Sequence, residues 1–307
     1  FPDGGMHAVP RALAAAAARH GVRFRYSTQV TSVDVSVGRA SGVITTDGER
    51  IPADVVVLNA DLPTAYAELL PPGFAPRRLK RLRYSPSAVV LHAGSSAEND
   101  DAAHHTVQFG TAWDETFEQI IRRGELMSDP SFLLSTPTRS DPSLAPAARH
   151  AYYALFPAPN LDPRRRNLID WAGERSRYRD QIVATLEARG YPGFGAAIEC
   201  EHLVTPADWR ARGIAADQRG IARLRPEPRA RHRIQSGDRR AALEGVCCLL
   251  PALGLAQRIA MALRGICAAV IARPALRGGD PSFGRLVCFG QTGREPLGNG
   301  WWHDADE

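Results

Sequence analysis

Two short stretches of this sequence could bring backbone or polar groups to a bound ligand. Residues 1–5 (FPDGG) form a turn cluster in which Gly4 and Gly5 are followed by Met6. Glycine suits the backbone freedom of a tight turn as readily as the close approach of a ligand, and both readings stand at Gly4 and Gly5. The second stretch is Asn59, Ala60 and Asp61, directly after the apolar run ADVVVL at residues 53–58. Small polar residues just past the carboxyl end of a buried strand sit where open α/β sheets bind their ligands. Asp61-Leu62-Pro63 also has the form of a helix start, and capping is compatible with ligand proximity there.

Other chemistry-bearing residues point less far. His104 and His105 are adjacent, and Asp129 and Asp141 each precede a proline. Histidine pairs and Asp-Pro turns are more often structural than catalytic, so no residue is singled out as a general base. Cys200, Cys247, Cys248, Cys267 and Cys288 include no CxxC pair and no matching histidine spacing, so no metal site is expected. Gly190, Gly193 and Gly195 lack the preceding buried strand and following helix of a dinucleotide site.

The elements that must carry these residues are legible in outline. An alanine-rich run over residues 8–20 reads as a helix stopped by Gly21. Residues 22–28, 30–37, 40–46 and 51–59 read as strands, with turns at Gly38 and Asp47-Gly48. The last of these has no polar face, as expected of a strand buried on both sides of a parallel sheet. A basic helical linker (RRLKRLRY, residues 77–84) leads to a second region, with strands at 87–94, 104–109, 132–135 and 150–158. Amphipathic helices are expected at 113–123 and 172–189. The apolar faces of residues 113–121 and 131–134 read as core in preference to the wall of a ligand tunnel.

With 44% hydrophobic and 23% charged residues, the 307-residue chain has a globular composition. A formal charge of +5 could suggest nucleic acid, but the excess is arginine scattered among acids with little aromatic interleaving, and no nucleic-acid partner is expected. No run of about 18 uncharged apolar residues marks a spanning helix, so any membrane is met at its surface. No secretory signal is apparent, and a cytoplasmic location is expected.

Over about residues 1–216, segments occur in an order that resembles one family. They are FPDGGMHAVPRALAAAAARHGVRF, VITTDGERIPADVVVLNADLPTAY, RLRYSPSAVVLHAG, HHTVQFG, LMSDPSFLLSTPTRSDPSLAP, YYALFPAPNLD and LEARGYPGFGAAIECEHLVTPADW. They are similar to successive segments of bacterial-type phytoene desaturases, FAD-dependent carotenoid oxidoreductases. The resemblance implies an α/β fold of the flavin monoamine oxidase type. Here it would comprise an incomplete FAD-binding Rossmann-like domain at residues 1–70 and a mixed α/β substrate domain at 71–216. It also implies FAD as cofactor and a phytoene-like carotenoid as substrate, taken up through a tunnel that opens at the cytoplasmic membrane surface. Val30, in QVTSV, would set its backbone against the adenine; Gly4, Gly5 and Met6 would lie near the flavin and tunnel; Asn59, Ala60 and Asp61 would flank the cofactor domain crossing. The basic run at residues 77–83 is then either a solvated linker or a contact for anionic headgroups.

The resemblance stops at both ends. The family opens with a strand, a GxGxxG turn and a helix that hold the FAD pyrophosphate on backbone amides, and this sequence starts downstream of that unit. After TPADWRARGIAA the sequence reads DQRGIARLRPEPRARHRIQSGDRRAALEGVCCLL, an arginine-dense tract, and residues 217–307 hold four of the five cysteines. Residues 217–307 are therefore unassigned, with a shifted reading frame and poor order as the expectation and a genuine fused domain, with helices in 241–272, as the alternative. The chain alone is expected to be inactive. A non-catalytic fragment or interaction module is the other reading, and carotenoid isomerases and ketolases share these motifs.

Overall fold

A computed structural model describes residues 1–60, 62–76, 79, 84–99, 102–165 and 167–211, together with the backbone of three later strands. The chain divides into two compact units, one taking Phe1–Gly5 and the stretch Tyr84–Gly220, the other Met6–Arg83 and the three late strands.

The Met6–Arg83 unit begins with α1 (Ala8–Arg19). Its last turn is closed by Gly21 N–H to Ala18 O and Val22 N–H to Ala17 O, each at 3.0–3.2 Å, with Gly21 at φ +83°. This pair of bonds needs a left-handed residue just after the helix, which is why the alanine run ends there. β1 (Arg23–Tyr26) follows, then β2 (Val30–Ser36), β3 (Arg39–Thr45), β4 (Arg50–Pro52) and β5 (Val55–Leu58). β2, β3 and β4 form an antiparallel meander with β2 at one edge. The expected strand over 51–59 is broken at Ala53-Asp54 into β4 and β5, which belong to different sheets.

β5 is an inner strand of the sheet β1-β13-β12-β5-β11, in which β11 is Val246–Cys248, β12 Ile266–Ile271 and β13 Leu286–Gly290. Its neighbours are β11, parallel, and β12, antiparallel, so the sheet is mixed where a parallel one was expected. β12 also corrects the helical alternative for residues 241–272, since residues 266–271 pair as a strand. The rest of the 217–307 tract lies outside the described residues. Val56 and Leu58 are almost fully buried and share a core with Val30, Val33, Val43 and the turn after β5. That turn is α2 (Leu62–Thr64), which widens into a π-helical turn, Ala65–Leu69.

The other unit is an antiparallel sheet of five strands in the order β10-β6-β9-β8-β7. Their ranges are β6 Ser87–Ser95, β7 His105–Gln108, β8 Phe132–Ser135, β9 His150–Ala158 and β10 Ile198–Val204. Alternate residues of each strand point to one face. Val89, Leu91, Phe132, Leu134, Tyr152, Ala154 and Phe156 pack under α4 (Trp171–Ala188). α4 begins at Asp170, whose carboxylate accepts the Ala172 N–H, and buries Tyr178, Ile182 and Leu186, a stripe at four-residue spacing. α3 (Trp113–Phe117) runs on as a π-helical segment to Arg123 and stops at Gly124 in the left-handed region. α5 (Pro206–Ala211) closes the unit. Among the described residues no helix is long and apolar enough to cross a membrane.

Candidate functional site

The expected cofactor residues fall in both units, and each set is described within its own. Gly4 and Gly5 belong with the antiparallel sheet, and their φ angles, +78° and +81°, are ones that side chains with a Cβ rarely adopt. Gly5 N–H closes a turn on Pro2 O at 3.0 Å, and Gly4 N–H donates to Asp141 Oδ2 at 2.9 Å. Gly5 is buried against Leu144, whereas Met6, 45% exposed, is counted with the other unit.

In the Met6–Arg83 unit, Val30 opens β2 opposite Thr45 and is buried. Because β2 is the edge of its sheet, one row of its backbone N–H and C=O groups has no strand beside it among the described residues. An edge of that kind can pair with a planar heteroaromatic base much as it would with another strand. Asn59 is exposed at the carboxyl end of β5, and Ala60 packs half-buried on the core of this unit. Asp61 lies outside the described residues. The residues present fit the base end of a dinucleotide. Gly190 and Gly193 serve only the turn from α4 to β10, and Gly195 lies so close to Val183 that a Cβ would stand 2.6 Å from its side chain. Among the described residues no glycine-rich turn joins a buried strand to a helix.

The antiparallel sheet offers a second surface, on the face away from α4. α5 covers its β10 side: Trp209 packs on Val90 and Val204, and its indole N–H donates to Ala88 O at 3.2 Å. Beyond α5 the face carries half-buried Leu133, Tyr153 and Leu155, with Val107 54% exposed. The polar residues on it include His92 and His202, directly opposite each other, with His92 edge-on to Tyr153 at 5.1 Å, and Ser135 and His105, which follow Tyr153 in register. No carboxylate or guanidinium interrupts the run from Val107 through Leu133 to Leu155, so the surface suits an apolar molecule.

The titratable residues set aside above have structural partners. Asp129 accepts from Thr111 and Ala112 N–H and from Arg189, and the Ala112 amide first of all holds its carboxyl below the usual range. Asp141 is held down by the Ser143 hydroxyl and then by the Gly4 amide. His104 shares a 2.6 Å hydrogen bond between Nδ1 and Ser140 Oγ, and burial lowers its pKa. Burial likewise pushes Tyr152 up to about 12, while its hydroxyl donates to Ala97 O at 2.7 Å.

Sequence reading missed the exposed side of α3. Trp113, Phe117 and Ile121 were expected in the core but are 46%, 37% and 45% exposed, while Thr116, Gln119 and Ile120 turn inward. Phe109, Trp113 and Phe117 stack edge-on at 5.2 and 4.8 Å to form a continuous aromatic stripe.

The family model described as flavin containing amine oxidoreductase matches residues 1–150. A phytoene dehydrogenase of Streptomyces griseus is 50% identical over 216 residues, 70% of this chain and 42% of that protein. A zeta-carotene-forming phytoene desaturase of Myxococcus xanthus is 38% identical over 68% of this chain and 40% of its own length. A lycopene-forming phytoene desaturase of a Paracoccus strain is 35% identical over 68% and 42% respectively. An oxidoreductase of solved structure from Methanosarcina mazei has a TM-score of 0.43 at 15% identity, covering 66% of this chain and 43% of that one, too slight a likeness to argue from. The chain thus spans about two fifths of the length of the curated relatives it matches. Over the matched residues it is similar to phytoene desaturase-type proteins, and its first 150 residues match the flavin containing amine oxidoreductase model.

Proposed function

We propose that this chain is part of an FAD-dependent desaturase that removes hydrogen from a long apolar polyene, a carotene of the phytoene class. The observation that carries this reading is the second face of the antiparallel sheet. A hydrocarbon substrate offers no group for a charge or a hydrogen bond to recognise, and Leu133, Leu155 and Val107 present adjoining apolar area on neighbouring strands. The relatives act on phytoene and its products by their names, which agrees with such a surface.

FAD, when bound, supplies a two-electron hydride acceptor, which is what desaturation of an alkene chain requires. The residues of this chain that would hold it are Val30, by the free edge of β2, and Asn59, Ala60 and Asp61 past the end of β5, with Gly4, Gly5 and Met6 near its reactive end. We assign residues 1–70 to the cofactor and 71–216 to the substrate, and leave 217–307 unassigned. The protein would meet its substrate at the cytoplasmic face of a membrane. The exposed stripe of Phe109, Trp113, Phe117 and Ile121 suits that surface, because aromatic rings are favoured at the boundary of headgroup and acyl chain.

The test uses this chain and its intact parent. Dialysed against FAD, the chain alone is expected to keep no flavin band in its visible spectrum, since the described residues offer no cradle for the pyrophosphate. The parent, given FAD and phytoene in liposomes, is expected to yield a coloured polyene. A parent that holds flavin but leaves phytoene unchanged would sink the reading, and a chain that keeps stoichiometric FAD would sink its cofactor assignment.

A further inference from the structure

The glycine turn is seated on one five-residue segment, and the seat has a division of labour. Asp141 is the N-cap of the turn Pro142–Leu144, where Oδ1 accepts both the Ser143 N–H at 3.1 Å and the Ser143 hydroxyl. That fixes the carboxylate and leaves Oδ2 for the Gly4 N–H, a contact spanning 137 residues of sequence. One residue earlier, Ser140 Oγ holds His104, whose ring lies tilted against Phe1 with centroids 4.4 Å apart. Three residues later, Leu144 lies under Gly5, where a Cβ would stand 3.5 Å from its Cδ2.

Two consecutive left-handed glycines have more conformational freedom to lose than any other pair, so a turn of this kind keeps one shape only if something outside it holds it. A carboxylate receiving a backbone N–H is among the stronger hydrogen bonds available for that purpose. The turn also stands where the chain passes from one compact unit to the other, between Gly5 and Met6. We propose that Asp141 is a positioning residue, whose carboxylate pins the Gly4–Gly5 turn so that its backbone is presented in a single conformation. Its consequence for turnover rests on the reading above that this turn serves the cofactor. Asp141 itself touches no reacting atom in this scheme and acts through Gly4.

The Gly4 amide reports the clamp directly. In nitrogen-15 spectra of this chain, the Gly4 amide shift is expected to follow a titration below the usual carboxylate range, and its proton to exchange slowly at neutral pH. Asp141→Asn is expected to abolish that titration and speed Gly4 exchange about tenfold or more, leaving α4 amides unchanged. The neighbouring titrating groups, Asp3, His104 and the terminal amine, remain in the variant, so the difference belongs to Asp141. Unchanged Gly4 exchange would overturn the clamp. In the intact parent the same substitution is expected to lower kcat roughly 10- to 100-fold with flavin content and KM held, as for a misplaced reacting geometry. A Gly4 amide that responds while kcat does not would refute the positioning role. A wild-type parent without desaturase activity would instead count against the functional reading, with the clamp still decided by the Gly4 amide.

Discussion

The two sheets of this chain are assembled in opposite ways. The antiparallel sheet takes all five strands from one stretch, β6 to β10, and folds α4 from the same stretch over one face. The mixed sheet joins β1 and β5 to three strands that lie some two hundred residues further along. A unit whose partners are near in sequence closes its loops at a smaller entropic cost than one that must bring distant strands together. The antiparallel unit can therefore carry its own core, while β5 pairs only with strands far downstream.

The largest effect should come from removing a large side chain from each core and comparing the two. Phe156 is 1% exposed and stacks on Phe132 at 4.9 Å. Phe156→Ala should cost about 3–5 kcal/mol and lower the unfolding transition of the antiparallel sheet. Leu58→Ala, also at a buried position, should act on the other unit only. Amide exchange resolved by segment separates the two, and loss of protection in β5 on substitution of Phe156 would contradict independent assembly.

A smaller effect sharpens the same contrast through pH. Burial pushes the Asp208 carboxyl up, but the Thr205 amide and hydroxyl and the Arg175 guanidinium outweigh it and hold the group below its usual range. A carboxyl depressed in the folded state contributes stability that is complete above its unfolded value, about 3.9, and is lost as pH falls through the folded value. Asp208→Asn should thus lower the urea midpoint of the antiparallel unit at pH 7 and flatten its decline on acidification. An acid limb as steep as that of the wild type would exclude this carboxylate as a source.

Much of the local architecture was legible, for reasons that particular residues supply. The alanines before Gly21 specify α1 and its stop, and the apolar runs of β6 and β9 announce strands that pair along their whole length. The parts that were not legible depended on partners remote in sequence. α3 reads as burying Trp113, Phe117 and Ile121, but the inward positions are Ile120 and the polar Thr116 and Gln119. Gln119 is satisfied there by Ser128, with its Oε1 accepting the Ser128 N–H at 2.9 Å, and Thr116 by donating to Asp129 O at 3.2 Å. Residues 266–271, where the sequence suggested poor order with helices as the alternative, pair as a strand between β5 and β13. Of the candidate site, Asn59 lies at a strand end, where its place after an apolar run puts it, while Val30 begins a strand whose position at the edge of its sheet the sequence does not reveal. The tie from Gly4 to Asp141 has no local signature at all.

The central claim is that the second face of the antiparallel sheet takes an apolar polyene, and retention of a coloured carotene by the purified chain tests it most directly. Mixed with the carotene in detergent and passed over a sizing column, the chain should carry colour in its own peak. Val107→Asp, at an exposed position on that face, should lose the colour while keeping the wild-type melting profile, because a carboxylate cannot be desolvated beside a hydrocarbon without large cost. Colour that stays with the Val107→Asp chain, or never appears with the wild type, would contradict the account.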